Sequence, residues 1–214
     1  MGRIKLKKGL DIPIKGKPTQ EVSNAPLVKR VAILGNDYVG MKPTMLVQEG
    51  DIVKLGQPLF TDKKIPFVQY TSPGSGKVVE INRGEKRVFL SLVIELSGSD
   101  EIQFSSTSQN ELNSLKREDV VARLLESGEW TSLRVRPFSK VADPETTPHA
   151  VFVTAIDTNP LAPSVEKIVS MNETHFKNGL TVISKLTEGK VFVCKSPTSK
   201  IPVIESQQIS VEEF

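Results

Sequence analysis

Residues 47–60 read VQEGDIVKLGQPLF and residues 72–81 read SPGSGKVVEI. Taken together, these two stretches decide the fold of the first half of the chain. Gly50 and Gly56 stand where tight turns need positive φ, and Gly76 stands where a returning strand passes close to a neighbour. The pattern predicts two hairpins folded into a flattened barrel. Short strands and turns surround it. KRVAILG (29–35) reads as a strand stopped at Gly35, and NDYVGMKP (36–43) as a loop marked by glycine and proline. FVQYTSPGSGKVVEI (67–81) holds two strands broken at Pro73 and Gly74, and RVFLSLVIEL (87–96) is one long strand. No stretch before Leu96 carries helical periodicity. This half is predicted to be all-β.

Composition bounds the function. The chain has 214 residues, 38% hydrophobic and 25% charged, as expected of a soluble globular protein with a sizeable core. A net charge of +3 and 6% aromatics, with acidic and basic residues interspersed, argue against a nucleic-acid-binding face. The densest basic run, RIKLKKGL (3–10), reads as an edge strand guarded by lysines. Cys194 is the one cysteine, which excludes an intrachain disulfide and a cysteine-held cluster. His149 and His175 are too far apart for H-E-x-x-H zinc chemistry, so no metal site is expected. No apolar run approaches the ~18 residues of a spanning helix. The first residues lack the apolar core of a signal peptide, and Leu6 stands where a myristoylation motif needs Ser or Thr. These features predict a cytosolic chain that reaches a membrane only through partners.

The pattern changes after Leu96. SGSDEIQFSSTSQN (97–110) is rich in Ser, Asn and Gln and reads as a connection. The expected division is a barrel domain over 1–100, a linker over 101–110 and an α/β domain over 111–214. LKREDVVARLLESG (115–128) places Val120, Val121, Leu124 and Leu125 on one helical face, with Gly128 as its stop. HAVFVTAI (149–156) and GKVFVCK (189–195) are nearly unbroken apolar runs, predicted as strands buried on both faces. Between them SVEKIVSM (164–171) and NETHFKNGLTVISKL (172–186) read as helices, the second capped by Asn172. Strand, helices, strand implies a parallel sheet. Two core strands are few for a free-standing domain, so the α/β domain reads as truncated at its C-terminal end.

The barrel pattern is shared with biotinyl and lipoyl carriers, whose modified lysine sits on an exposed hairpin tip. Asp62-Lys63 follows Gln57 about three residues too early for a lipoyl tip. No methionine flanks Lys63 or Lys64 as in biotinyl carriers, and Pro66 stiffens the turn. Lys63 and Lys64 are therefore predicted to be unmodified, with a carrier module kept as an alternative.

KKGLDIPIKGKP (7–18), EGDIVKLGQPLF (49–60), SPGSGKVVEINRGEKR (72–87), RPFSK (136–140) and VFVTAIDTNPLAP (151–163) resemble the A subunits of the bacterial sodium-translocating NADH:quinone oxidoreductase. The resemblance runs on through GLTVISKLTEGKVFVCK (179–195). It implies a barrel-sandwich hybrid domain followed by a partial Rossmann-like α/β domain, related to the flavin-binding fold of the NADH-oxidising subunit of respiratory complex I. The family's members are longer, so the chain reads as an N-terminal fragment. The resemblance also implies a peripheral subunit on the cytoplasmic side of the bacterial inner membrane, within a six-subunit pump. That complex couples NADH oxidation and reduction of ubiquinone or menaquinone to sodium export. Its flavins and iron–sulfur centre are held by other subunits, and this chain is expected to bind no cofactor and to be inactive alone. The residues agree, because no G-x-G-x-x-G or P-loop is present. An electron-transfer subunit of the Rnf type remains the second alternative.

Two surfaces are candidate contact sites. Asp157, Thr158 and Asn159 follow a buried strand at the edge where open α/β sheets bind ligands, and are predicted to touch quinone or a partner subunit. The competing reading is an Asx-turn that ends the strand before Pro160. Arg83, Lys86 and Arg87, in the hairpin NRGEKR (82–87), are predicted to dock an acidic partner, against the plainer reading of a solvated turn. Trp130 is expected to pack between the two halves. Arg117, Arg134 and Arg136 are cations with no common focus.

Overall fold

The structure is a computed structural model and describes residues 14–16, 18–204 and 206–213. The basic run 3–10 lies outside the described residues. The first half forms seven strands: β1 (Arg30–Leu34), β2 (Pro43–Met45), β3 (Ile52–Val53), β4 (Pro58–Asp62), β5 (Gln69–Thr71), β6 (Gly76–Arg83) and β7 (Phe89–Leu96). They make two antiparallel sheets, ordered β1-β7-β6-β3 and β2-β4-β5. Leu59 and Phe60 from one sheet meet Val53, Val78, Leu92 and Ile94 from the other, all fully buried. This is the predicted barrel.

The glycines do what the sequence asks of them. Gly50 and Gly56 have φ of 99° and 80°. A Cβ on Gly76 would lie 2.1 Å from the Glu95 carbonyl oxygen, so β6 and β7 approach at a distance that only glycine allows. Residues 97–104 run back along the barrel. The Leu55 amide donates to the Asp100 carbonyl at 2.9 Å, and the Ile102 amide to the Leu55 carbonyl at 2.8 Å.

The second half opens with helix α1 (Arg117–Glu126), which ends at Gly128 with φ 80°. A short hairpin, β8 (Arg134–Val135) and β9 (Lys140–Val141), follows. Then come β10 (Ala150–Thr154), α2 (Val165–Ser170), α3 (Glu173–Ser184), β11 (Lys190–Lys195) and β12 (Ile209–Glu213), with a parallel sheet ordered β10-β11-β12.

Three expectations are corrected. The sheet has a third strand: ISVEE pairs with β11 although its apolar residues are too few to stand out. β10 is an edge strand with Phe152 63% exposed, so its apolar run is covered on one face only. Asn172 begins α3, yet its side chain makes no capping bond. The central strand β11 is covered more fully than β10 but not on both faces: Val191 and Val193 are fully buried on one, while Phe192 and Cys194 on the other are half-buried.

Two cores result. The smaller holds Val191, Val193 and Ile209 of the sheet against Val169 of α2 and Leu180 of α3. The larger is not confined to the barrel: Val120, Trp130, Val141 and Leu186 of the second half join Phe60, Tyr70 and Phe89. Trp130 thus packs between the halves, its Nε1 donating to the Ala142 carbonyl at 2.8 Å.

Two glycines separate close approach from open space. Gly76→Ala should destabilise the chain by at least ~2 kcal/mol, as overpacking against backbone does. Gly179→Ala, inside α3 with nothing within 4 Å of the added methyl, should stabilise it by about 0.5–1 kcal/mol. Denaturant titration reads both; equal effects at the two positions would contradict the close approach at Gly76.

Candidate functional site

The loop after β10 sits at the C-terminal end of the parallel sheet. The Ala155 amide donates to the Cys194 carbonyl at 2.8 Å, extending the ladder one residue past the strand. The chain then turns on itself. Asp157 Oδ1 accepts from the Asn159 backbone amide at 2.9 Å and from Asn159 Nδ2 at 2.8 Å, which is an Asx-turn reinforced by a side-chain bond. The Ala162 amide donates to the Asn159 carbonyl at 3.1 Å, and Leu161 within this second turn adopts φ 61°. Ser164 caps α2 by accepting from the Lys167 amide, while its own amide donates to Gln20 Oε1 at 2.9 Å. Asp157, Thr158 and Asn159 are all exposed. The loop is therefore a preformed, self-bonded projection. It leaves the Thr158 hydroxyl and the second Asp157 oxygen without protein partners among the described residues.

This turn occupies the place where a dinucleotide-binding sheet would cradle a pyrophosphate, and its residues do not fit that task. It has no glycine to let backbone approach a phosphate, and two prolines remove amide donors. Helix α2 has six residues and a first turn already capped by Ser164.

Arg83, Lys86 and Arg87 lie on the tip joining β6 to β7. The Gly84 amide donates to the Val88 carbonyl at 2.8 Å, and Lys86 and Arg87 both take positive φ, 52° and 62°. Arg83 Nη1 donates to the Arg87 carbonyl at 3.4 Å. All three cations are exposed, and none forms an ion pair among the described residues. The tip and the Asp157 loop belong to different sheets, and no hydrogen bond joins them.

Lys63 and Lys64 begin the connection from β4 to β5. Lys64 Nζ donates to the Gly40 carbonyl at 2.7 Å, and the buried Asp62 accepts from the Lys64 and Lys42 amides. The Lys64 amine is held against the barrel rather than extended as an arm. Arg117 donates to the Pro144 and Thr146 carbonyls, and Arg134 stacks 4.9 Å from the Tyr38 ring. His149 is exposed before β10. Among the described residues no three His, Cys, Asp or Glu side chains converge on a metal position, and no helix is long and apolar enough to cross a membrane.

One feature has no counterpart in the sequence pattern. A cleft of about 550 Å³ lies between the barrel and the end of α1, lined by Leu55, Tyr70, Thr71, Phe104, Gly128 and Ser132. Tyr70 is 2% exposed, stacks on Phe60 at 4.7 Å and meets Tyr38 edge-on at 4.7 Å. Its hydroxyl has no hydrogen-bond partner among the described residues. Burial, reinforced by the Asp62 carboxylate, pushes this phenol well above its ordinary pKa. The residues come from positions 38, 60, 62 and 70, with no spacing that announces them.

Both parts of the chain match known families. Residues 4–97 match the model of the NqrA N-terminal barrel-sandwich hybrid domain, and residues 115–214 that of the NqrA second alpha/beta domain. The chain is thus a two-domain module, barrel-sandwich hybrid then α/β. It belongs to the NqrA family. It is 55% identical over 210 residues to the A subunit of the Na(+)-translocating NADH-quinone reductase of Marinomonas sp. (strain MWYL1), covering 98% of this chain and 47% of that one. The corresponding protein of Alcanivorax borkumensis is 52% identical over 99% of this chain and 47% of its own length. That of Vibrio atlanticus is 53% identical over 98% and 46%. The chain spans about half the length of the relatives it matches.

The unpartnered phenol generates a prediction. Tyr70→Phe removes a buried hydroxyl that has no partner and should leave stability unchanged or raise it by about 1 kcal/mol. Because the folded-state pKa is raised, Tyr70 contributes stability that is fully present below the unfolded value of about 10 and is lost as pH rises through the folded value. The variant should therefore lose less stability above pH ~10 than the parent. Denaturant midpoints across that range check this; parallel pH profiles would contradict it.

Proposed function

We propose that this chain is the peripheral, cofactor-free part of a sodium-pumping NADH:quinone oxidoreductase, serving assembly and the quinone-side contacts of the complex. The observation that carries this reading is the match of nearly the whole chain to two domains of the family, in relatives named for that reaction. In this reading the complex oxidises NADH, reduces quinone and exports sodium on the cytoplasmic side of the bacterial inner membrane. Flavins and the iron–sulfur centre belong to other subunits of the six, and membrane attachment comes through them. The proline-stiffened turn after β10, unsuited to a pyrophosphate, supports a binding role in place of a redox one.

Within this role, Asp157, Thr158 and Asn159 form a rigid contact point for quinone or a neighbouring subunit. Their mutual hydrogen bonds preform the loop, so little order is lost on contact. Arg83, Lys86 and Arg87 dock an acidic partner: three exposed cations that form no ion pair among the described residues, on a tip whose backbone is fixed, suit that use. Lys63 and Lys64 carry no lipoyl or biotinyl group: Asp62-Lys63 follows Gln57 too early for a lipoyl tip, no methionine flanks either lysine, and the Lys64 amine is engaged with the barrel. The division into 1–100, 101–110 and 111–214 is retained as the functional one, with 101–110 joining the two.

Asp157→Ala and Asn159→Ala test the contact role. A purely structural turn would lose about 1 kcal/mol, and activity would fall only in proportion. The expected outcome is a small change in the melting midpoint of the chain together with a loss of quinone-dependent NADH oxidation, or of subunit retention, in the whole complex. The chain purified from its host should show the mass of the unmodified sequence and no flavin absorbance. Normal turnover and retention in both variants, or a coloured chain, would overturn the reading.

A further inference from the structure

Three stretches distant in sequence converge beside Tyr38 and carry cations without acids: 38–42 (YVGMK), 63–67 (KKIPF) and 134–141 (RVRPFSKV). The Lys63 amide donates to the Lys42 carbonyl at 2.7 Å, and the Lys64 amine to the Gly40 carbonyl at 2.7 Å. The β8–β9 hairpin joins them where the Arg134 guanidinium lies 4.9 Å from the Tyr38 ring. A Cβ on Gly40 would lie 3.7 Å from Lys64 Nζ and 3.9 Å from Lys140 Cε, so these two side chains meet at one point. Lys42, Lys63, Lys64, Arg134, Arg136 and Lys140 are all exposed, and none forms an ion pair among the described residues. Three carboxylates stand at the ends of these stretches. Asp62 is buried and accepts from the Lys42 and Lys64 amides, Asp143 accepts from the Glu145 amide, and Asp37 is exposed. In a chain of net charge +3, this surface concentrates positive charge.

Each stretch also exposes an apolar side chain: Val39 is 49%, Phe67 62% and Phe138 71% accessible. Phe138 is the most exposed phenylalanine among the described residues and sits in the turn between β8 and β9, with the Lys140 amine 5.9 Å from its ring centroid. The hairpin beneath it is anchored. Val141 is buried in the larger core, and the Ser139 amide donates to the Val135 carbonyl at 2.9 Å, closing the turn. A protein partner answers cations with carboxylates at fixed points and gathers apolar contacts into one desolvated centre. Here the apolar side chains stand singly on separate loops among the cations. Such a surface matches an anionic phospholipid layer, which offers phosphates to lysine and arginine anywhere along it and takes up isolated rings at the boundary of headgroups and acyl chains.

We propose that the surface formed by residues 38–42, 63–67 and the β8–β9 hairpin rests on the headgroups of an anionic membrane, with Phe138 entering the boundary with the acyl chains. Direct lipid contact goes beyond the attachment through other subunits given above. It stands on the charge and shape of this surface, independently of the redox role.

Co-sedimentation of the chain with lipid vesicles, in the absence of any other subunit, tests it. The vesicles are phosphatidylcholine alone, or phosphatidylcholine and phosphatidylglycerol in equal parts. Binding is expected to the mixed vesicles only, and should fall as ionic strength rises. Lys63→Glu and Lys140→Glu should each weaken it at least ~five-fold, since each basic residue near an anionic surface contributes about that factor. Phe138→Ser should weaken it several-fold and leave its salt dependence in place. All three positions are exposed, so the melting midpoint should stay where it is. Lys167→Glu, the same charge change on the exposed side of α2, should bind as the parent does. Should a variant fail to fold, hydrogen exchange on the parent decides, because the amides of 134–141 should gain protection with the mixed vesicles. No binding to the mixed vesicles, equal binding to both kinds, or a loss in Lys167→Glu matching that in Lys140→Glu would overturn the proposal. So would capture of soluble polyglutamate in place of the vesicles, which would assign the surface to an acidic protein.

Discussion

The joint between β5 and the end of α1 decides how the two halves sit. The Thr71 hydroxyl donates to the Ser127 carbonyl at 3.2 Å, and the next residue, Gly128, has φ 80°. A Cβ there would lie 2.4 Å from Thr71 Oγ1. Gly128 thus ends a helix and lets that end press against the barrel, two demands that one residue type meets. Everything after it inherits this placement. Trp130 enters the barrel's core two residues later, β8 and β9 follow, and Leu186 at the end of α3 reaches the same core.

That joint shapes the functional argument. The larger core spans both halves, and the chain from α3 enters both cores, Leu180 the smaller one beside the Asp157 loop and Leu186 the larger. The loop bonds its own side chains, whereas the cations of the tip form no ion pair among the described residues. Shape recognition suits the first and electrostatic recognition the second.

Much of the fold was legible. The turns at Gly50, Gly56 and Gly76 are local backbone requirements written as single residues, and the amphipathic run before Gly128 is a periodic signal. What was hidden depends on pairing. ISVEE becomes a strand only because β11 offers a free edge, and its alternation is too short to reveal that. HAVFVTAI gave no sign that Phe152 faces outward, since an apolar run has no polar residue to mark the open side. The Tyr70 cluster assembles residues from three separate strands and loops. The Asx-turn at Asp157 was readable because it is local, while the use of its remaining polar groups is not inscribed in the turn.

The central claim is that barrel and α/β half form one cooperative body through the Thr71–Gly128 joint and the shared core. Differential scanning calorimetry of the chain tests it most directly. One transition, with calorimetric and van't Hoff enthalpies in agreement, is the predicted result. Two resolved transitions, with Gly128→Ala shifting only the one assigned to the α/β half, would contradict it.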